Sequence, residues 1–349
     1  IDYVSENGKT MLTRTMYCCD SLLLRLEPGT GARHSGHRAA PETRPLPVPE
    51  TVRYTLSEPN VLLLDTAEVA VDGGAFEPEE ELLRAFGVCC KKLHLDWENA
   101  HVMQPWAYGE ADLNHTATLR FRVHSTIPVA GAHFALENAA LSHLRVNGED
   151  VPMAIDGYFT DRSISTVPIP ALPAGESIIE VDTPIGAITG LEWCYLLGSF
   201  GVQVHGRRKE LVALPDALGF DDVAVQQLPF YGANVTYHIP VQTHGGVLHV
   251  ETPYYAGALV RVAIDSKDAG AIIYPPCTLT LADVPAGAHT VDITLFGSRQ
   301  NCFGPVHRAD QSQNWVGPNA WRETGDAWTY EYRLHPMGLL SSPKITEEV

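Results

Sequence analysis

The chain has 349 residues, 45% of them hydrophobic, and its 24 Lys and Arg against 42 Asp and Glu leave a formal charge of −18. That length allows two or three domains with sizeable cores, and that charge disfavours nucleic-acid backbones and anionic membranes as partners. The densest basic run, Arg207-Arg208-Lys209, is too short to reverse the balance, and no apolar stretch approaches the roughly 20 residues of a membrane span. Seven cysteines without framework spacing, including the vicinal pairs Cys18-Cys19 and Cys89-Cys90, predict reduced thiols and a cytoplasmic setting.

In chain order, residues 1–50 read as a strand hairpin (TMLTRTMYC and DSLLLRLEP) closing a sheet, followed by a Gly-, Pro- and Arg-rich connector. A chain that opens on Ile1 and enters strands at once is expected to be a fragment of a larger polypeptide. Residues 51–210 begin with VRYTL and NVLLLDTAEVAVDGG, whose Asp72-Gly73-Gly74 marks a turn. One helix is predicted over 78–95, with Pro78 at its first position, Glu79 to Glu81 in its first turn and Lys91 and Lys92 in its last. Its stripe of Leu82, Leu83, Phe86, Cys89, Cys90 and Leu93 faces a sheet. Short alternating strands then recur to residue 210, and a second series fills 211–349. No regular alternation of strands and helices supports a parallel sheet or a (β/α)8 barrel.

A degenerate repeat runs through both series. Leu144 to Ile185 (LRVNGEDVPMAI, then VPIPALPAGESIIEVDTPI) returns as Val262 to Gly297 (VAIDSKDAGAII, then LTLADVPAGAHTVDITLFG), with Asn147-Gly148 matched by Asp265-Ser266 and one Pro-Ala-Gly turn by another. Two copies of one unit predict two similar β-sandwiches.

Through Asn147-Gly148, Tyr158, Asp161 and the run from Leu172 to Val181, the first module resembles the jelly-roll sugar-binding domain of β-galactosidase- and β-glucuronidase-class glycoside hydrolases, in the galactose-binding-like superfamily. NVLLLDTAEVAVDGGAF, LEWCYLLGSFGV and LPFYGANVTY resemble accessory β domains of large bacterial glycoside hydrolases, including those related to α-L-rhamnosidases. The resemblance implies a mostly-β chain of two galactose-binding-like jelly-roll sandwiches in series, with a short N-terminal strand region and one helix. It also implies an oligo- or polysaccharide ligand, a homo-oligomer or a covalently linked catalytic domain as partner, and no cofactor, with room for a structural calcium ion.

Sugar recognition needs aromatic planes and polar side chains that bond hydroxyls. The segment from Phe296 to Pro336 is richest in both, offering Arg299, Asn301, His307, Asp310, Trp315, Trp321, Trp328 and Tyr330. Tyr158 and Asp161 lie in a loop that lengthens the first repeat copy, and insertions of this kind sit at a module's rim. Trp193 and Tyr195 are spaced as core residues of a strand, and Trp106 as a cap on the first sandwich. Catalytic carboxylates remain unassigned, because no spacing singles out a pair among Asp161, Glu192, Asp310 and Glu331. His34 and His37 lie in the connector and form no metal motif. The leading expectation is therefore a non-catalytic carbohydrate-binding or scaffolding portion of a glycoside hydrolase. Its rivals are a hydrolase with carboxylates at the seam between sandwiches and a purely structural or interaction protein.

Overall fold

The computed structural model describes residues 3–6, 9–18, 20–25, 41–95, 113–187, 189–310, 312, 317–321 and 324–349. They form a mostly-β fold whose four large sheets pack as two sandwiches, each with its own hydrophobic core. In the first sandwich, the larger sheet places His115–Ser125 beside Gly175–Ile185 along their full length. The facing sheet runs Gly157–Phe159, Asp161–Pro168, His133–Leu136, Cys194–Gly198 and Asn60–Leu64. Asn60–Leu64 is buried at every position, as its unbroken apolar run requires of a strand covered on both faces. In the second sandwich, a six-stranded sheet centred on Val235–Thr243 and Gly287–Phe296 faces a four-stranded one.

The repeat is visible in the register. His143–Val146 pairs with Glu149–Val151 on one side and Gly175–Ile185 on the other, and Leu259–Ile264 does the same with Lys267–Ile272 and Gly287–Phe296. The turn chemistry is repeated too. Asn147 and Asp265 both adopt a left-handed backbone, with φ of 52° and 48°. Asn147 Oδ1 accepts from Ile178 N at 2.8 Å, and Asp265 Oδ1 from Thr290 N at 2.9 Å. A third instance lies at Asp72, φ 50°, which accepts from Thr116 N at 3.0 Å. Short Asx side chains tolerate this conformation and lock the next strand in register.

Three expectations change. The hairpin at the N-terminus is smaller than expected: Val4–Glu6 pairs with Lys9–Met11, while Leu22, Leu23 and Leu24 are exposed and, among the described residues, close no sheet. The second sandwich is instead completed by Thr43–Leu46 on Lys344–Glu348 and by Thr51–Leu56 on Val235–Thr243, so the chain visits this sandwich before building the first. Thr51 itself pairs with Gly219, beyond the expected division at residue 210. The helix starts at Leu82 rather than Pro78, because the Glu81 side chain caps it by accepting from Leu83 N at 3.1 Å and Arg84 N at 3.0 Å. A second short helix, Gln300–Phe303, follows the last strand of the six-stranded sheet.

Candidate functional site

The sequence-predicted residues do not converge. Trp315, Trp106, His34 and His37 lie outside the described residues. Tyr158 is exposed, while its neighbour Phe159 is buried against Tyr195 and Phe303, with the Arg299 guanidinium 5.5 Å from its ring. Arg299 is therefore brought to the Tyr158 loop, but it is committed to Glu58 at 2.6 Å. Asp161 and Asp310 each close their own turn, accepting from the backbone and hydroxyl of Ser163 and of Ser312. Trp321 packs on the first core and donates to Phe303 O at 3.1 Å. Trp328 has the Arg84 guanidinium 4.6 Å from its centroid and the His307 ring at 4.9 Å. Asn301 bonds the His335 backbone, and Tyr330 donates to Glu80. Among its described residues, the aromatic segment therefore supplies mainly packing that joins the end of the second sandwich to the first.

At the centre of that packing is a buried polar network absent from the sequence reading. Asp65, fully buried at the end of Asn60–Leu64, accepts from Lys209 Nζ at 2.5 Å and Tyr332 Oη at 2.7 Å, and its other oxygen meets His307 Nε2 at 2.8 Å. Burial opposes the charge, yet the Lys209 ammonium and the His307 contact outweigh it and hold Asp65 well below the usual carboxylate range. His307 Nδ1 lies 3.0 Å from Thr329 O, a carbonyl that can only accept, so Nδ1 carries a proton. Nearby, Glu81 accepts from Trp193 Nε1 at 2.6 Å, and burial raises its pKa to about 7 against these hydrogen bonds. These groups satisfy one another, which suits a scaffold. Sequence reasoning overlooked Asp65 because one acid after NVLLL resembles a strand end.

Lys209 also faces a cleft of about 710 Å³. It arises from a fork in the larger sheet of the first sandwich. Residues 117–120 pair with Thr66–Val71, whereas His124 and Ser125 pair in parallel with Arg208–Val212 on the same side. Between those contacts Phe121 to Val123 have no partner strand on that side among the described residues, opening a window onto Leu62 and Leu64 of the facing sheet. Arg120 and Arg122 form one wall, fixed by ion pairs to Glu68 and, respectively, to Glu180 and Glu176. Arg207, Arg208 and Lys209 form the other. The alternating Arg120, Arg122 and His124 of TLRFRVHS carried the sequence signal for a polar rim over an apolar floor.

Among the described residues, no group of three or more His, Cys, Asp or Glu side chains is placed to hold a metal ion, and no helix is long and apolar enough to cross a membrane.

No protein-family model and no curated protein matches the chain. Among solved structures it is distantly similar to a rhamnosidase from Novosphingobium sp. PP1Y (TM-score 0.27, 17% identity, 69% of this chain and 23% of that one). It is similarly distant from a β-D-mannosidase of Dictyoglomus thermophilum (0.26, 12%, 69% and 31%) and a GH2 β-galacturonidase of Eisenbergiella tayi (0.25, 10%, 68% and 36%). The chain thus spans under two-fifths of the length of each. Likeness at this level transfers no activity to the chain.

Proposed function

We infer that this chain is a non-catalytic carbohydrate-binding portion of a glycoside hydrolase and that the sheet-fork cleft is its sugar site. The observation that supports this reading is the cleft's construction, a space of about 710 Å³ rimmed by charged donors and acceptors, with the almost fully buried Leu62 and Leu64 at its base. A pyranose presents the complementary groups, a ring of hydroxyls that both donate and accept. The non-catalytic part is supported by the seam, where the Asp65 carboxylate is fully buried and bonded by three side chains. The test is calorimetric titration of the full chain with a panel of neutral and acidic oligosaccharides, coupled to an assay for new reducing ends. Saturable binding without hydrolysis is expected. No binding across the panel contradicts the sugar reading, and release of reducing sugar contradicts the non-catalytic one.

A further inference from the structure

Resting on that sugar reading, we propose that the cleft selects an anionic sugar, one carrying a carboxylate or sulfate, through Arg207 and Arg208 at its mouth. The chain carries a net −18, yet five Arg and Lys side chains against three Glu line this cleft. Three of the five are already committed within the protein. Arg120 and Arg122 are paired with glutamates, and Lys209 is held by Asp65 and by Leu63 O at 2.6 Å. Arg207 and Arg208 differ, because both are exposed and neither has an ion pair among the described residues. They lie on the tight connection between Gly201–His205 and Arg208–Val212, where His205 pairs with Arg208 and Gly206 takes a positive φ of 62°. Ladder pairing and the Gly206 turn fix the backbone positions from which both side chains reach the cleft mouth.

The chain's overall negative charge does not cancel this local preference. At physiological ionic strength the screening length is about 8 Å, so distributed surface acids act weakly on an anion in contact with guanidinium groups. A guanidinium fork matches two oxygens of a carboxylate or sulfate, and such charge-assisted bonds are about twice as strong as neutral ones. The Glu68, Glu79 and Glu210 carboxylates in the same lining can accept from sugar hydroxyls, which a bare anion lacks. The expected ligand thus combines an anionic substituent with sugar hydroxyls.

The experiment titrates the full chain with a uronate trisaccharide, its neutral counterpart of the same linkage, a sulfated counterpart and inorganic sulfate. About tenfold tighter binding of at least one anionic sugar than of the neutral one is expected, with inorganic sulfate weaker than both anionic sugars. The anionic sugar that binds tighter identifies the substituent. Arg207→Ala with Arg208→Ala should bring that sugar to the neutral level while the melting temperature, read in parallel, stays within a few degrees. Neutral binding as tight as anionic binding overturns this inference and leaves the sugar reading standing. Failure of every sugar to bind overturns both. Inorganic sulfate binding as tightly as the anionic sugars, or a preference that survives the double substitution, also overturns the inference.

Discussion

Glu81 gives the fold a stability component that weakens as pH rises. Its carboxyl titrates near 7 in the folded protein against an ordinary 4.5, with burial as the main cause. The folded state therefore holds a proton that the unfolded chain has released across this window, so stability is greatest below pH 4.5 and falls as pH rises through 7. Two and a half units at about 1.4 kcal/mol each correspond to about 3.5 kcal/mol, a substantial share of a domain's stability. Glu81→Gln removes the titration and keeps one acceptor for Leu83 N and the Trp193 indole, while its amide turns a donor toward Arg84 N, a pH-independent cost that drops out of the pH dependence. Denaturant unfolding of both proteins from pH 5 to 8 should show the wild type losing about 2.5 kcal/mol relative to the variant, the rest having been lost below pH 5. His289, raised by its bond to Asp265, also loses stabilisation as pH rises, but it is common to both proteins and cancels in the difference. Asp65 acts with the opposite sign and in another window, since its lowered pKa contributes stability that disappears as pH falls below about 4. A wild-type-minus-variant difference that stays flat, or rises, between pH 5 and 8 would refute the reasoning.

Other substitutions probe the network and the repeat. Asp65→Asn leaves the Lys209 ammonium buried beside Leu63 O without its counter-charge, and a loss of about 3–5 kcal/mol is expected in chemical denaturation. Tyr332→Phe removes a single hydrogen bond to Asp65 and should cost about 1–3 kcal/mol in the same assay. Asn147→Ala removes the turn bond at a left-handed residue and should cost about 1–3 kcal/mol, whereas Asp265→Ala removes the same turn bond and the His289 contact as well and is expected to cost more in the same assay. Gly297→Ala would place a Cβ 2.3 Å from Ala233 O, in contact with backbone that cannot swing aside, so a lowered melting temperature is expected from a thermal scan.

The strand series and the repeat were legible because alternation, Asx turns and Pro-Ala-Gly turns are local signals, and the matching registers of Leu144 and Val262 reflect them directly. The helix boundary was less legible. Glu81 reads in sequence as one of three first-turn acids, and only the fold turns it back as a buried cap bonded to Trp193. The site was mostly hidden for a related reason. Asp65 and Lys209 are 144 positions apart, and the cleft exists because two strands share one edge of His115–Ser125, a long-range pairing that leaves no mark on either sequence. Aromatic density in the final segment pointed to ligand contacts, whereas Trp321 and Trp328 are occupied by partners within the chain.

The most direct measurement of the sugar-site claim is methyl NMR on leucine-labelled protein during titration with the sugar that binds most tightly. The Leu62 and Leu64 methyls at the cleft floor should shift progressively and saturate together, while the core methyls of the second sandwich, such as Leu248 and Leu295, stay in place. Saturable binding that leaves Leu62 and Leu64 unmoved, or that shifts only methyls of the second sandwich, would contradict the placement of the sugar in the sheet fork.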